Sequence, residues 1–343
     1  MKTMRAVVFY APKDIRLVES PVPKPGAGEV LVKVGAALTC GTDFKAYRRG
    51  HPVLLGPLPA RFGHELAGIV AQVGKGVKDF KEGDAVVAGN SAPCDGCYFC
   101  ARGQNQLCDR LKLHNGAYAD YDLLPPNIVK HNLHKLPSGI ELATAALAEP
   151  LACAMHAVDL LKVAEGESAL IIGAGSMSLL LIQALFARKA RVLVVGRGRA
   201  NLDLAQAAGA HDVFSVEDGD ALTWARGQTE GRGPDCVFEA VGLPGTWQQA
   251  IALVRKGGRV CLFGGCAPGL DVPVDAHRIH YSQLSLFGVF HNTPKYFKAA
   301  VELLGSGAVR PDLLIAGSIP LSDVCSFYDR QHGVSNQKMA VIP

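Results

Sequence analysis

Hydrophobic and polar positions alternate along the first 90 residues in short runs that are rich in valine and alanine. Clusters of proline, glycine and aspartate separate these runs, which cover residues 6–10, 30–34, 67–73 and 85–88. Alternation with a period of two is typical of half-buried strands bounded by turn residues. The pattern predicts a small β-barrel-like domain that no helix of any length interrupts.

A different pattern begins with helical spacing over residues 141–162. Short apolar runs then alternate with segments of helical periodicity, including helices over 201–208 and 295–304. The predicted strands cover residues 168–172, 191–195, 212–215, 236–239, 260–263 and 284–290. Strands that alternate with helices predict an open parallel sheet of six strands, the doubly wound α/β fold of nucleotide-binding domains.

The change of pattern predicts a domain boundary near residue 150. The first domain is expected to comprise residues 1–150 and 291–343, because the last helix is expected to pack back on it. Residues 151–290 form the predicted nucleotide-binding domain. An irregular excursion over residues 91–109 interrupts the first domain.

Composition and charge narrow the class of protein. The chain of 343 residues is long enough for two domains. Its formal net charge is +4 and no block of like charge occurs, so neither a nucleic-acid nor a membrane partner is indicated. Residues 169–187 carry no charge, but Gly173 and Gly175 favour a strand, a turn and a helix over a membrane span. Ten clustered cysteines without a signal peptide predict reduced thiols in the cytoplasm.

Four of these cysteines are close together in the excursion. Their spacing is Cys-x2-Cys-x2-Cys-x7-Cys, formed by Cys94, Cys97, Cys100 and Cys108. Four thiolates at this spacing predict a tetrahedral structural zinc that is closed to substrate. An iron–sulfur cluster is the alternative, although no partner redox motif accompanies the lobe.

A second set of candidate ligands surrounds the lobe and consists of Cys40, His64, Glu65 and Glu149. One thiolate, one imidazole and carboxylates leave a coordination position for water, which is typical of a catalytic zinc. Such a zinc polarises a carbonyl or lowers the pKa of an alcohol. Either Glu65 or Glu149 could be the direct ligand, and the sequence leaves this choice open.

Read in chain order, these motifs resemble the zinc-dependent medium-chain dehydrogenases. The resemblance covers nearly the whole chain and rests on Cys40-Gly-Thr42-Asp43, Gly63-His64-Glu65, the four-cysteine lobe and Glu149-Pro150. The last pair is similar to the sorbitol and threonine dehydrogenase branch. The resemblance implies a GroES-like β-barrel catalytic domain, a Rossmann domain, two zinc ions per chain and a homodimer or homotetramer paired through the strand over 284–290.

The resemblance also implies roles for the residues after Cys40. Asp43 is expected to accept a hydrogen bond from the far nitrogen of His64. Thr42 would begin a proton relay, since its hydroxyl both donates and accepts, or it is an ordinary turn threonine.

The chain departs from the branch at two places. Lys45 stands where the family usually has a relay histidine, so it either passes protons, pairs with a cofactor phosphate, or is an exposed surface lysine. His291-Asn292 stands where sorbitol dehydrogenases carry an Arg-Tyr pair. Both departures disfavour sorbitol as the substrate and a conventional relay.

Candidate cofactor-binding residues follow the predicted strands. Gly173, Gly175, Ser176 and Met177 form a glycine-rich turn that opens a helix, the context in which a pyrophosphate binds a helix N-terminus. An ordinary strand–helix turn is the alternative. The resemblance places Phe263 and Val289 at later strand ends that meet the nicotinamide side of the cofactor.

The end of the second strand predicts which cofactor binds. Gly196, Arg197 and Arg199 occupy the region where an acidic residue would bind the ribose of NAD. Without that acid a 2′-phosphate is not repelled, and an arginine can bind it through a planar fork of donors. The sequence therefore predicts NADP(H) over NAD(H).

Together these features predict a zinc-dependent oxidoreductase that transfers a hydride between NADP(H) and a secondary alcohol or polyol and its ketone. A threonine 3-dehydrogenase-like enzyme acting on an amino alcohol is one alternative. A non-catalytic nucleotide-binding zinc protein is the other, although such a protein would not need an open coordination position.

Overall fold

The computed structural model describes residues 2–330 and 336–343. The chain divides into two compact units, Met1–Ala152 with Asn292–Pro343, and Cys153–His291. The strands in chain order are β1 (Thr3–Ala11), β2 (Asp14–Pro21), β3 (Val30–Leu38), β4 (Ala60–Arg61), β5 (Glu65–Val73), β6 (Ala85–Ala88), β7 (Tyr121–Leu124), β8 (Leu133–Lys135), β9 (Ser168–Ile172), β10 (Arg191–Gly196), β11 (Asp212–Ser215), β12 (Cys236–Glu239), β13 (Arg259–Leu262), β14 (Ser285–Gly288), β15 (Ile315–Pro320) and β16 (Lys338–Ile342). The α-helices are α1 (Gly41–Arg49), α2 (Pro52–Leu55), α3 (Pro126–His131), α4 (Leu142–Ala145), α5 (Ala148–Leu160), α6 (Ser176–Phe186), α7 (Arg199–Ala207), α8 (Ala221–Gly227), α9 (Pro244–Leu253), α10 (Ala276–Tyr281), α11 (Pro294–Gly305) and α12 (Val324–Arg330).

The second unit contains one six-stranded sheet in the order β11-β10-β9-β12-β13-β14. Every neighbouring pair in it is parallel. This is the order of the doubly wound dinucleotide-binding fold. The predicted parallel α/β sheet is confirmed, because strands buried on both faces form continuous apolar runs that are visible in the sequence. The predicted sixth strand is too long, since β14 ends at Gly288.

The apolar stretch over residues 169–187 follows the same architecture. It forms most of β9, the glycine turn and α6. Within the described residues, no helix combines the length and the apolar character that a bilayer crossing requires.

The first unit is built on mainly antiparallel sheets. One has the order β15-β16-β3-β5-β6-β8, with β7 also paired to β3, and a smaller one has the order β2-β1-β4. The inner faces of these sheets bury a core of valine, leucine and aromatic side chains. The predicted β domain is thus confirmed, and its last strand β16 pairs with both β15 and β3.

The expectation that no helix interrupts the first 90 residues is wrong. Directly after β3 the chain forms α1, and Cys40 is its N-cap residue, with the Cys40 Sγ accepting from the Thr42 backbone N–H at 3.4 Å. Thr42, Asp43 and Lys45 therefore lie on this helix. A helix of nine residues presents its apolar side chains over too few turns for the periodicity to show against the flanking strands.

A half-buried carboxylate links the strands of the second unit. Asp235, just before β12, accepts from the Ser168 backbone N–H at 2.7 Å, from the Ser168 hydroxyl at 2.6 Å and from Arg255 Nε at 2.7 Å. Burial opposes ionisation, but the hydrogen bonds from Ser168 and Arg255 lower the pKa of Asp235 below its ordinary value. The ionised form therefore stabilises the fold.

We predict that Asp235→Asn lowers the free energy of unfolding by roughly 2 kcal/mol at pH 7, because charge-assisted hydrogen bonds are lost. A carboxylate with a lowered folded pKa contributes stability above its unfolded pKa, and this contribution is lost as the pH falls through the folded pKa. Urea unfolding at pH 7 and in acid, with exposed Asp271→Asn as the control, measures the effect. A difference between wild type and Asp235→Asn that is independent of pH would contradict this assignment.

Candidate active site

The four cysteines of the excursion form a compact cluster. The sulfur atoms of Cys94, Cys97, Cys100 and Cys108 all lie within 4.8 Å of one another. Two thiolates on one tetrahedral zinc, each at ~2.3 Å, are ~3.8 Å apart, so a cluster of this size can close around one ion. Backbone hydrogen bonding by Cys100 lowers the pKa of Cys97 to about 6, and burial raises the pKa of Cys108 to about 12.

We predict that Cys97→Ser lowers the zinc content by about one ion per chain and lowers the melting temperature, because a closed site needs all four ligands. Metal analysis and thermal unfolding measure both effects. Cys266→Ser, in the second unit, is the matched control and is expected to keep its zinc. Unchanged metal content in Cys97→Ser would exclude this site.

The second predicted ligand set comes together at the start of α1 and β5. Cys40 Sγ, a His64 ring nitrogen and a Glu65 carboxylate oxygen lie within 4.8 Å of one another. His64 follows Gly63, which has φ +81°, and a Cβ atom on Gly63 would lie 2.7 Å from the Tyr118 ring. Only glycine fits this turn, and the turn presents His64 next to Cys40.

Asp43 fixes the orientation of His64. The buried Asp43 carboxylate lies 3.0 Å from His64 Nδ1 through Oδ1, and its Oδ2 accepts from the Tyr118 hydroxyl at 2.9 Å. The Tyr118 and Tyr328 hydroxyls are 3.0 Å apart. Burial lowers the pKa of His64, but the charges of Asp43 and Cys40 outweigh it and raise that pKa well above its ordinary value. With Nδ1 bonded to Asp43, Nε2 is the nitrogen that can bind a metal.

Glu65 has a partner that the sequence did not indicate. Lys338 Nζ donates to both carboxylate oxygens of Glu65, at 2.7 and 2.9 Å, and it lies 3.2 Å from the Thr39 carbonyl oxygen. The side chains of this ion pair are 2% and 0% exposed. The one available signal was a charged residue in the otherwise apolar run of β16.

The remaining predicted residues of the first unit lie on α1 and α5. Glu149 is buried in the first turn of α5, and its Oε1 accepts from the Asn292 side-chain amide at 3.1 Å. Lys45 is exposed on α1, and Thr42 is half-buried in the first turn of the same helix. Asn292 belongs to the pair of residues at which the chain differs from the sorbitol dehydrogenases, and in the structure it contacts Glu149.

The candidate cofactor residues all lie at the carboxyl edge of the parallel sheet. They follow β9 (Gly173, Gly175, Ser176 and Met177), end or follow β10 (Gly196, Arg197 and Arg199), and follow β13 and β14 (Phe263 and Val289). Gly173 has φ +113°, a conformation that favours glycine in the turn before α6. Open α/β sheets bind their ligands at this edge, so these residues lie where such a fold would bind a dinucleotide.

The two arginines after β10 have different surroundings. Arg199 Nε pairs with Asp203 at 3.0 Å on the exposed face of α7. Arg197 lines a surface cleft with Thr246, Gln248 and Gln249. Of the two guanidinium groups, the one at Arg197 has no ion-pair partner in the part of the chain that the structure describes.

Comparison with known proteins identifies the class. The chain matches the family model of the alcohol dehydrogenase GroES-like domain over residues 26–138 and that of zinc-binding dehydrogenases over residues 177–306. The sorbitol dehydrogenase of Bacillus subtilis is 29% identical over 99% of this chain and 97% of that protein. The L-threonine 3-dehydrogenase of Pyrococcus furiosus is 34% identical over 87% of this chain and 86% of that protein.

A solved structure agrees with these relatives. The zinc-binding dehydrogenase of Sinorhizobium meliloti, solved with NADP bound, superposes with a TM-score of 0.93 at 28% identity and covers 100% of both chains. The chain belongs to the zinc-dependent medium-chain dehydrogenase family, as its motifs predicted. It is a zinc-dependent, NAD(P)-linked dehydrogenase of the alcohol and polyol group.

Proposed function

We propose that this enzyme interconverts a secondary alcohol or polyol and its ketone with NADP(H), using a zinc site at Cys40, His64 and a carboxylate. The observation that carries the proposal is the convergence of Cys40, His64 and Glu65 within 4.8 Å in a chain of this family. The donor set of one thiol, one imidazole and carboxylates leaves a position for a substrate oxygen.

When bound, zinc would supply a Lewis acid for the substrate oxygen, and NADP(H) would accept or supply the hydride. The chain's own residues prepare the site for this chemistry. The Asp43–His64 hydrogen bond at 3.0 Å sets the ring orientation, and Tyr118 holds Asp43 in turn. Thr42 sits beside Cys40 in the first turn of α1, where its hydroxyl can both accept and donate a proton.

Lys45 is the residue on α1 that stands in the place of the family's relay histidine. Its side chain is exposed to solvent on the first helix of the chain. Thr42 and Lys45 are therefore the proposed route between the substrate oxygen and water.

The position of β14 at the end of its sheet favours assembly into an oligomer. β14 ends the six-stranded sheet, so among the described residues one of its edges has no neighbouring strand and could pair with a second subunit. We infer a homodimer or homotetramer on this basis. All ten cysteines are free thiols, which fits metal binding in a reducing compartment such as the cytoplasm.

A cofactor-reduction screen tests the proposal. Purified protein with measured zinc content is mixed with NADP⁺ or NAD⁺ and secondary alcohols, polyols or β-hydroxy amino acids. We expect secondary alcohols or polyols to be oxidised with NADP⁺ preferred, and His64→Ala to lose at least about 100-fold in activity, since it removes a metal ligand. Turnover confined to threonine-like substrates would favour an amino-alcohol dehydrogenase. Zinc and NADPH binding without any turnover would favour a non-catalytic role.

Arg197 gives a sharper test of the cofactor preference. We expect Arg197→Ala to raise the KM for NADP⁺ roughly 10-fold or more, because a charge-assisted hydrogen bond to the 2′-phosphate is lost. The KM for NAD⁺ and the kcat with either cofactor are expected to change little. Arg199→Ala is the matched control and should have the smaller effect, since Arg199 already pairs with Asp203. Equal losses with both cofactors would show that Arg197 does not bind the phosphate.

A further inference from the structure

Glu239 is a fully buried carboxylate that the proposed reaction does not use. It is the last residue of β12 and is 0% exposed. Its Oε1 accepts from the backbone N–H groups of Val241 and Gly242, each at 2.9 Å, and from the Thr246 hydroxyl at 2.7 Å. Its Oε2 has no hydrogen-bond partner among the residues that the structure describes. All three donors are neutral, so hydrogen bonds alone offset the cost of burying this carboxyl group.

The turn that Glu239 holds begins at the topological switch point of the parallel sheet. β9 and β12 are neighbours in the sheet, although the chain passes outward through β10 and β11 before it returns to β12. In doubly wound folds the ligand crevice lies outside the carboxyl ends of the strands at such a point. Residues 240–243, which follow β12, therefore lie at the crevice.

This turn contacts the glycine-rich turn that follows β9. The Ala240 backbone N–H donates to the Ile172 carbonyl oxygen at 3.0 Å. A Cβ atom on Gly173 would lie 3.1 Å from Val241 Cγ2, so the Val241 side chain packs closely against the Gly173 backbone. A movement of Val241 would therefore disturb the turn that contains the candidate pyrophosphate-binding residues.

The same turn packs against the segment that follows β13. The Glu239 carbonyl oxygen accepts from the backbone N–H groups of Phe263 at 3.0 Å and Gly264 at 2.8 Å. A Cβ atom on Gly264 would lie 2.3 Å from the Gly242 nitrogen, and one on Gly242 would lie 2.6 Å from the Gly265 carbonyl oxygen. Backbone contacts backbone here, and only glycine fits at these two positions.

We propose that Glu239 is a positioning residue of the dinucleotide site, which fixes the turn after β12 between the turns that follow β9 and β13. Its Oε1 satisfies two backbone donors of the turn directly. Through Thr246 it also holds the first turn of α9, which lines the surface cleft that contains Arg197. The inference rests on the proposed binding of a dinucleotide at this edge of the sheet, but not on the preference for NADP(H).

The expected consequence differs from that of losing Arg197. The turns after β9 and β13 are proposed to contact groups that NAD(H) and NADP(H) have in common, whereas Arg197 is proposed to bind the 2′-phosphate alone. Loss of the Glu239 acceptor should therefore weaken both cofactors by the same factor.

The test measures nucleotide binding to the full-length protein by the fluorescence of NADPH and NADH. Glu239→Met removes the acceptor at similar side-chain length, and we expect both Kd values to rise equally, roughly 10-fold or more, because three donors lose their partner. Zinc content is expected to stay unchanged. Glu239→Gln keeps one oxygen that can accept from the same donors and should bind both nucleotides within about threefold of wild type. An unchanged Kd in folded Glu239→Met, or a rise for NADPH alone, would overturn the inference.

Thr246→Val is a milder variant that decides the question if Glu239→Met does not fold. It removes one donor to Glu239 and is expected to raise both Kd values about 3- to 10-fold. Thr223→Val makes the same chemical change elsewhere in the second unit, where the Thr223 hydroxyl donates to Asp220 at 2.6 Å, and it should leave both values unchanged. Unchanged binding in Thr246→Val would count against the inference in the same way.

Trp247 gives a reading that needs no cofactor. Its indole N–H donates to the Gly264 carbonyl oxygen at 2.9 Å, and in a Trp224→Phe background it is the only tryptophan of the chain. We expect its emission to shift in Glu239→Met and to stay unchanged in Glu239→Gln. Weaker binding with unchanged Trp247 emission would mean that the turn has not moved, and would also overturn the inference. Failure of wild-type protein to bind either nucleotide would instead overturn the proposed cofactor site.

Discussion

The fold of the first unit depends on hydrogen-bond donors for its buried carboxylates. Asp43 and Glu65 are both 0% exposed, and an ionised carboxylate without hydrogen bonds in such surroundings is strongly destabilising. Asp43 is bonded by His64 and Tyr118, and Glu65 is bonded by Lys338. These donors come from distant parts of the chain, so the candidate site and the β-sheet core can only form together.

The two candidate metal clusters illustrate different ways in which a sequence specifies a site. The lobe cysteines are close in sequence, so their spacing alone predicts their proximity. Cys40 and His64 are brought together by β3 and β5, which pair antiparallel and place Leu38 opposite Glu65. The second cluster therefore depends on strand register, and a register shift of one residue would point His64 away from Cys40.

Features that depend on neighbouring residues could be predicted from the sequence, whereas features that depend on distant residues could not. The six parallel strands were predictable because each is a short apolar run between turn residues, and the lobe was predictable from local spacing. The helix α1 was missed because its nine residues give little periodicity. The charge of Lys338 in the apolar run of β16 was visible, but its partner Glu65 lies 273 positions away and could not be predicted. Tyr118 was missed for the same reason, since its partner Asp43 lies 75 positions away. The different roles proposed for Arg197 and Arg199 likewise required the position of Asp203.

The placement of β16 has a consequence for biosynthesis. Glu65 emerges from the ribosome 273 residues before Lys338 and until then lacks the cation that it needs in the interior. The second unit, Cys153–His291, is by contrast an uninterrupted segment that is complete well before the chain ends. Nascent domains usually fold in order from the N-terminus. Here the nucleotide-binding unit is positioned to fold first, and the unit that begins the chain becomes complete last.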